Sequence, residues 1–211
     1  QKEVEVDSVG GLRAYKGSIY EGGIRVPGII EWPAKIKARI TDYPASTMDI
    51  MPTLLDIIGL EPEHMLPVVD GISIQPLLAG EIGPRKKPMT FHYSQSKAAV
   101  IDNNYKILQM KIDTDKYELY DLDKDPKESK NLINELPEVA QKMKSQINNF
   151  TASVKDSIAG KDYPNGIVHQ RTERKFWTES EEYRQYFDIF WKRIEYKKWQ
   201  KKAENFWKSK K

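Results

Sequence analysis

The sequence predicts an α/β chain in three parts: a mixed segment over residues 1–85, a small α+β subdomain over 86–159, and a loop with an amphipathic helical extension over 160–211. Three patterns carry that prediction. Val26-Pro27-Gly28-Ile29-Ile30-Glu31-Trp32-Pro33 is a short apolar run bounded by Pro and Gly, as in a strand buried on both faces of an α/β sheet. Met89 to Tyr93, Ala98 to Ile101, Tyr105 to Met110 and Tyr117 to Leu122 are four short β-type runs, followed by a helical period. Finally, Tyr183, Phe187, Phe190 and Ile194 recur at i, i+4, i+7 and i+11, the stripe of an amphipathic helix.

Taken in order, the strand near Val26 is expected to join a sheet whose other strands are absent from this chain. Asp49 is then placed to cap a helix whose first turn accommodates Pro52, whose apolar face is Met51, Leu54, Leu55 and Ile58, and which stops at Gly59. Asp70 to Gly80 reads as a turn and a short apolar helix. Gly83-Pro84-Arg85-Lys86-Lys87-Pro88 is polar and proline-bounded, the composition of a linker. The β-type runs beyond it predict a four-stranded antiparallel sheet, with Asp102-Asn103-Asn104 as a hairpin turn. A helix from Pro137 to about Val154 presents Val139, Met143, Ile147 and Phe150, enough to cover one face of that sheet. Gly160 to Gln170 reads as a loop. Trp177, Trp191, Trp199 and Trp207 make the last stripe a packing seam, laid back over the body of the chain, and the mixed charges from Arg171 to Lys211 read as a solvated face.

Composition narrows the function. With 34 basic against 31 acidic residues the net charge is +3, too balanced overall to suggest nucleic-acid binding. No apolar run reaches membrane-spanning length. There are no cysteines, which removes disulfides, thiolate metal sites and a cysteine nucleophile. Gln1 to Asp7 have neither a basic n-region nor an apolar h-region, so no signal peptide is expected in this chain.

The densest chemistry lies in Leu12-Arg13-Ala14-Tyr15-Lys16-Gly17-Ser18-Ile19-Tyr20-Glu21-Gly22-Gly23-Ile24-Arg25-Val26-Pro27-Gly28, where a Lys, a Glu and an Arg sit among glycines that permit tight turns. Glu21 and Arg25 are four apart and suited to an ion pair, so Glu21 reads as scaffold rather than as acid or base. This segment closely resembles the second signature of the type I, formylglycine-dependent sulfatases, of arylsulfatase or N-acetylgalactosamine-6-sulfatase type. Asp49-Ile50-Met51-Pro52-Thr53-Leu54-Leu55, the Asp70-Gly71 to Leu78 turn, and Glu118-Leu119-Tyr120-Asp121 through Asp125-Pro126 to Leu132 resemble further landmarks of that family in the same order.

The resemblance implies the C-terminal part of an alkaline-phosphatase-like fold and a sulfuric ester hydrolase acting on a sulfated glycan or aryl sulfate ester. It implies Lys16 as the catalytic cation that holds the substrate sulfate, framed by Gly17, with Arg13 and His92 as further candidates facing the substrate. Glu21, Arg25, Gly22 and Gly23 are implied as structural support. The family's Cys (or Ser)-x-Pro-x-Arg nucleophile motif is not found in this sequence, so the chain alone is expected to be inactive, with an N-terminal sulfatase domain as its missing partner. Calcium is implied for the parent enzyme, with ligands outside this chain; Asp121-Leu122-Asp123-Lys124-Asp125 is not an EF-hand, because Pro126 and Leu132 stand where glycine and glutamate are required. A periplasmic, secreted or lysosomal setting goes with the family. A phosphate or phosphonate monoester hydrolase of the same superfamily, or a non-catalytic binding fragment, are the competing readings.

Overall fold

A meander of four antiparallel strands organises the larger of two compact units, Gln1–Ile167; the other is Val168–Lys211. The computed structural model describes residues 9–65, 68–80, 82–94, 96–162 and 176–209. The segment Gln1 to Asp7 and most of the loop expected from Gly160 to Gln170 therefore lie outside the described residues. In the sheet, β1 (Met89–Tyr93), β2 (Lys97–Asp102), β3 (Tyr105–Gln109) and β4 (Tyr117–Asp121) each pair with the next. The β2–β3 hairpin closes at Asp102 opposite Tyr105, with Asn103 in the left-handed region at φ 55°, which Asn tolerates better than most residues.

Both faces of this sheet are covered. Ala98, Val100, Ile107 and Leu119 pack on Ala140, Met143 and Ile147 of a long helix, Pro137–Ile158. Ala99, Ile101, Leu108 and Tyr120 pack on Ile19 and Tyr20, so the glycine-rich segment forms the second cover. Burial on two sides removes any need for polar alternation, which is why β2 reads Ala-Ala-Val-Ile. The long helix runs a turn past its expected end.

Three short helices precede the sheet: α1 (Glu21–Ile24), α2 (Ile50–Ile58) and α3 (Gln75–Ala79). The long helix is α4. Here the structure corrects several expectations. The run from Val26 to Pro33 is not a strand: no described residue pairs with it, and Val26 and Ile29 are 71% and 92% exposed. Apolar sequence alone cannot make a strand without a neighbour to accept its ladder of hydrogen bonds. The face of α2 expected to be buried is likewise outward, with Met51 and Ile58 more than half exposed, while Thr53 points in. Gly59 does end α2, in the left-handed region at φ 72°.

Asp49 does not cap α2 directly. Ser46 opens the turn, its side chain accepting from Met48 N while Asp49 accepts from Ser46 N at 2.8 Å. The rest of the Asp49 carboxylate faces Arg85, whose two terminal nitrogens donate at 2.8 and 2.7 Å, and accepts from Ile72 N at 2.9 Å. Arg85, read in sequence as part of a polar linker, is thus buried and clamps α2 to the start of the sheet. Burial pushes the Asp49 pKa up, but the bonds from Arg85, Ile72 and Ser46 more than offset it, and the group sits below its ordinary value. Gly71 completes the joint: a Cβ there would lie 2.0 Å from the Met48 carbonyl oxygen.

In the second unit the aromatic stripe is not one helix. It breaks into α5 (Glu181–Arg184), α6 (Phe187–Phe190) and α7 (Ile194–Lys208). The breaks let Phe187, Phe190, Trp191 and Tyr196 gather round Trp177 at ring separations of 5.6–6.1 Å.

Arg85→Ala leaves a buried carboxylate without its cation and should cost about 3–5 kcal/mol in urea unfolding. Because the folded Asp49 pKa is depressed, its contribution is complete above the unfolded value of about 3.9 and is lost as pH falls through the folded value. An acid-unfolding series on Asp49→Asn should lack that component.

Candidate functional site

The segment Arg13 to Arg25 folds as a loop closed by a single turn of helix. Ala14 and Gly17 adopt left-handed φ values of 63° and 95°, and Gly22 N donates to the Arg13 carbonyl at 2.9 Å, so α1 returns across the start of the loop. The paired glycines matter for space more than for φ. A Cβ on Gly22 would stand 2.3 Å from the Ala14 carbonyl oxygen, and one on Gly23 would stand 2.3 Å from that of Ser18. Only bare backbone passes this close.

Electrostatics fix the loop to the sheet. Glu21 is buried, and its two oxygens take Lys106 Nζ at 2.8 Å and Arg25 Nε at 2.7 Å. Lys106, the second residue of β3, is fully buried and also pairs with Glu128 at 2.9 Å. Glu128 in turn accepts from Glu21 N at 2.6 Å. A lysine ammonium carried into an apolar interior must be neutralised there, and these two glutamates do it. Burial raises the Glu128 pKa above its usual value, which Lys106 and the Glu21 amide only partly offset.

Arg13 forms a second anchor. Its guanidinium donates to Tyr120 Oη at 2.9 Å, the Glu128 carbonyl at 2.7 Å and Tyr20 Oη at 3.1 Å, while both tyrosine hydroxyls donate to Glu118. Burial and the neighbouring Glu118 push Tyr20 up to about 12, so it is a neutral donor at physiological pH. Two Arg13 contacts are therefore spent on holding the loop to β4 and the turn after it, and the third braces Tyr20 within the loop.

Lys16 is different. It lies exposed between Tyr15 and Gly17, and no other described residue bonds its ammonium. Such a group, on a loop pinned at both ends, offers three donors to an anionic oxygen from a fixed position. His92 is not brought to it: alternation along β1 pairs His92 with Ala98, a residue of the α4 face, whereas the glycine-rich loop covers the other face. The next residue, Tyr93, approaches the loop instead, its hydroxyl 3.7 Å from where a Cβ of residue 17 would be. Sequence reasoning found Glu21 and Arg25 but missed Lys106, Glu128 and Tyr93; a lone lysine in an apolar strand, Tyr-Lys-Ile-Leu, was the available signal for Lys106. Among the described residues no group of three or more His, Cys, Asp or Glu side chains comes together to hold a metal ion.

The family model described as N-sulphoglucosamine sulphohydrolase, C-terminal, matches residues 14–153. Arylsulfatase H of Canis lupus familiaris is 42% identical over 100 residues, 44% of this chain and 17% of its own length. Arylsulfatase A of Bos taurus is 31% identical over 155 residues, 61% of this chain and 30% of its own. Among solved structures, a Bacteroides thetaiotaomicron sulfatase from a locus for metabolism of multiple glycosaminoglycans superposes with a TM-score of 0.58 at 25% identity, covering 67% of this chain and 32% of that one. Ps i-CgsB in complex with k-i-k-neocarrahexaose gives 0.55 at 25%, over 66% of this chain and 32% of its own. The chain thus spans no more than about a third of the length of these relatives.

Two substitutions test the anchoring. Lys106→Met leaves buried Glu128 without its cation and Glu21 with Arg25 alone, and should cost roughly 3–5 kcal/mol, with faster amide exchange over residues 13–25. Gly22→Ala should destabilise by about 1–3 kcal/mol through overpacking, a loss readable as a lower urea midpoint with an unchanged m-value.

Proposed function

Since this chain belongs to the family of N-sulphoglucosamine sulphohydrolase C-terminal regions, and so to the sulfatases with their alkaline-phosphatase-like fold, we propose that it forms the sulfate-facing wall of a sulfuric ester hydrolase. Lys16 is the substrate contact. The observation that carries this reading is the exposed Lys16 ammonium on a loop whose Glu21, Arg13 and glycine neighbours are all committed to holding its backbone still. A sulfate ester gathers negative charge on the transferring group and leaving oxygen as the S–O bond breaks, and a preorganised cation stabilises that charge most.

The neighbours take other roles. Glu21 has one oxygen on Lys106 and the other on Arg25, which leaves it as support rather than as general acid or base. Arg13 acts as a strut, and Tyr93 replaces His92 as the neighbour of the loop. On this reading the nucleophile and the calcium ligands lie in the part of the enzyme N-terminal to this region. The exposed apolar side chains Val26, Ile29, Met51, Leu54 and Ile58 suit a surface covered by that part of the molecule.

Sulfated glycans are the proposed substrate class, supported by the superposition on the glycosaminoglycan-locus sulfatase and the neocarrahexaose complex. A periplasmic, secreted or lysosomal location follows from the same reading; no described helix is long and apolar enough to cross a membrane.

In the complete polypeptide, Lys16→Ala should lower kcat/KM for a sulfate ester by roughly 10² or more with the unfolding midpoint unchanged. Lys16→Arg should recover only part, since a planar fork does not fit a point-charge position. Wild-type kcat/KM in Lys16→Ala would make the loop scaffold alone.

A further inference from the structure

The second unit sorts its side chains into two faces. On one side of α7, Tyr196 meets Trp177 at 5.7 Å, Trp199 meets Phe176 at 4.8 Å, and Trp207 Nε1 donates to the Thr178 carbonyl at 2.9 Å. Ala203, buried between these aromatic positions, keeps the approach close. On the opposite side stand Lys197, Lys198, Lys201 and Lys208, all exposed. Helical spacing places Lys197 and Lys201 one turn apart and carries the row to Lys208, about 16 Å along the axis.

Among the described residues no acid of this unit forms an ion pair with that row. Glu195 bonds Arg193 at 2.8 Å, Glu204 accepts from Gln200 at 2.9 Å, Glu181 pairs with Arg184 at 3.1 Å, and Glu179 lies nearest Lys202 at 3.9 Å. None of Lys197, Lys198, Lys201 and Lys208 has an ion pair among the described residues; Lys198 only lies over the Trp199 ring, at 5.2 Å. Like charges one turn apart on a helix repel. By helical spacing Glu204 stands between Lys201 and Lys208, with one carboxylate oxygen held by Gln200. The row lies outside the region that the family model matches.

We propose that the lysine face of α7 is a docking surface for a sulfated polysaccharide chain, distinct from the Lys16 loop. The proposal rests on the sulfated-glycan reading above for its choice of polyanion. A stiff row of separate ammonium groups fits a ligand with repeating anionic groups better than a single small anion, since each sulfate meets a different lysine and releases bound counterions. A membrane surface is the poorer fit, because an interfacial helix needs its aromatic face for lipid and here that face is packed on Phe176, Trp177 and Thr178.

The test uses the whole 211-residue chain on immobilised heparin, with the triple variant Lys197→Gln, Lys198→Gln, Lys201→Gln against a control of equal charge change at exposed positions, Lys35→Gln, Lys37→Gln, Lys86→Gln. The α7 variant should elute at clearly lower salt and bind heparin at least about tenfold more weakly by calorimetry, with a salt slope reduced by roughly 2; the control should stay near wild type. Equal shifts in both variants would reduce the effect to net charge and overturn the proposal, as would tighter, equally lysine-dependent binding to duplex DNA or to phosphatidylserine vesicles. Lys16→Ala, run in parallel, should shift elution far less than the α7 variant does. If it alone removes heparin binding, the α7 surface is wrong while the Lys16 reading stands.

Discussion

Lys106 is the residue on which the site depends. A strand lysine with its ammonium wholly buried is tolerated only if carboxylates come to it, and here they arrive from two distant stretches: Glu21 of the glycine-rich loop and Glu128 of the Asp-Pro turn. Glu128 also binds the Glu21 backbone amide, and it holds a left-handed φ of 53° to do so. Two landmarks that look independent in sequence are therefore one ionic assembly. Its geometric product is a loop tied to the sheet at Arg13 and Glu21, with the exposed Lys16 between those two anchors.

The second buried pair, Arg85 with Asp49, performs the same service for the segment before the sheet. Asp49 links Ser46, Ile72 and Arg85 through one carboxylate, and Gly71 permits the chain to pass against Met48. Neither pair needs to stabilise the fold more than a hydrophobic replacement would. What each provides is position, because a desolvated charge accepts few alternative arrangements.

The two faces of the sheet then divide the work. The face toward α4 packs apolar side chains against the helix, while the opposite face receives Ile19, Tyr20 and the Arg13–Tyr120–Glu118 cluster. Chemistry is thus mounted on the back of an ordinary packed sheet. The second unit follows another logic, gathering aromatic rings round Trp177 and leaving the lysines of α7 exposed.

Local pattern determined the four strands, the Asn103 turn, α4, the end of α2 at Gly59, and the family signature around Lys16, because period, turn chemistry and motif spacing are properties of neighbouring residues. Glu21 as partner of Arg25 was legible for the same reason. Tertiary structure alone decided the rest. Val26 to Pro33 has strand composition but no strand to pair with, and the aromatic stripe after Tyr183 bends round Trp177 instead of running straight. The face that His92 takes is set by β1 pairing, and the partners of Glu21 and Arg13 lie about 85 to 115 residues away. Which buried charge meets which, and which side of a sheet a strand residue takes, are fixed by register and desolvation across the whole fold, and no local window contains them.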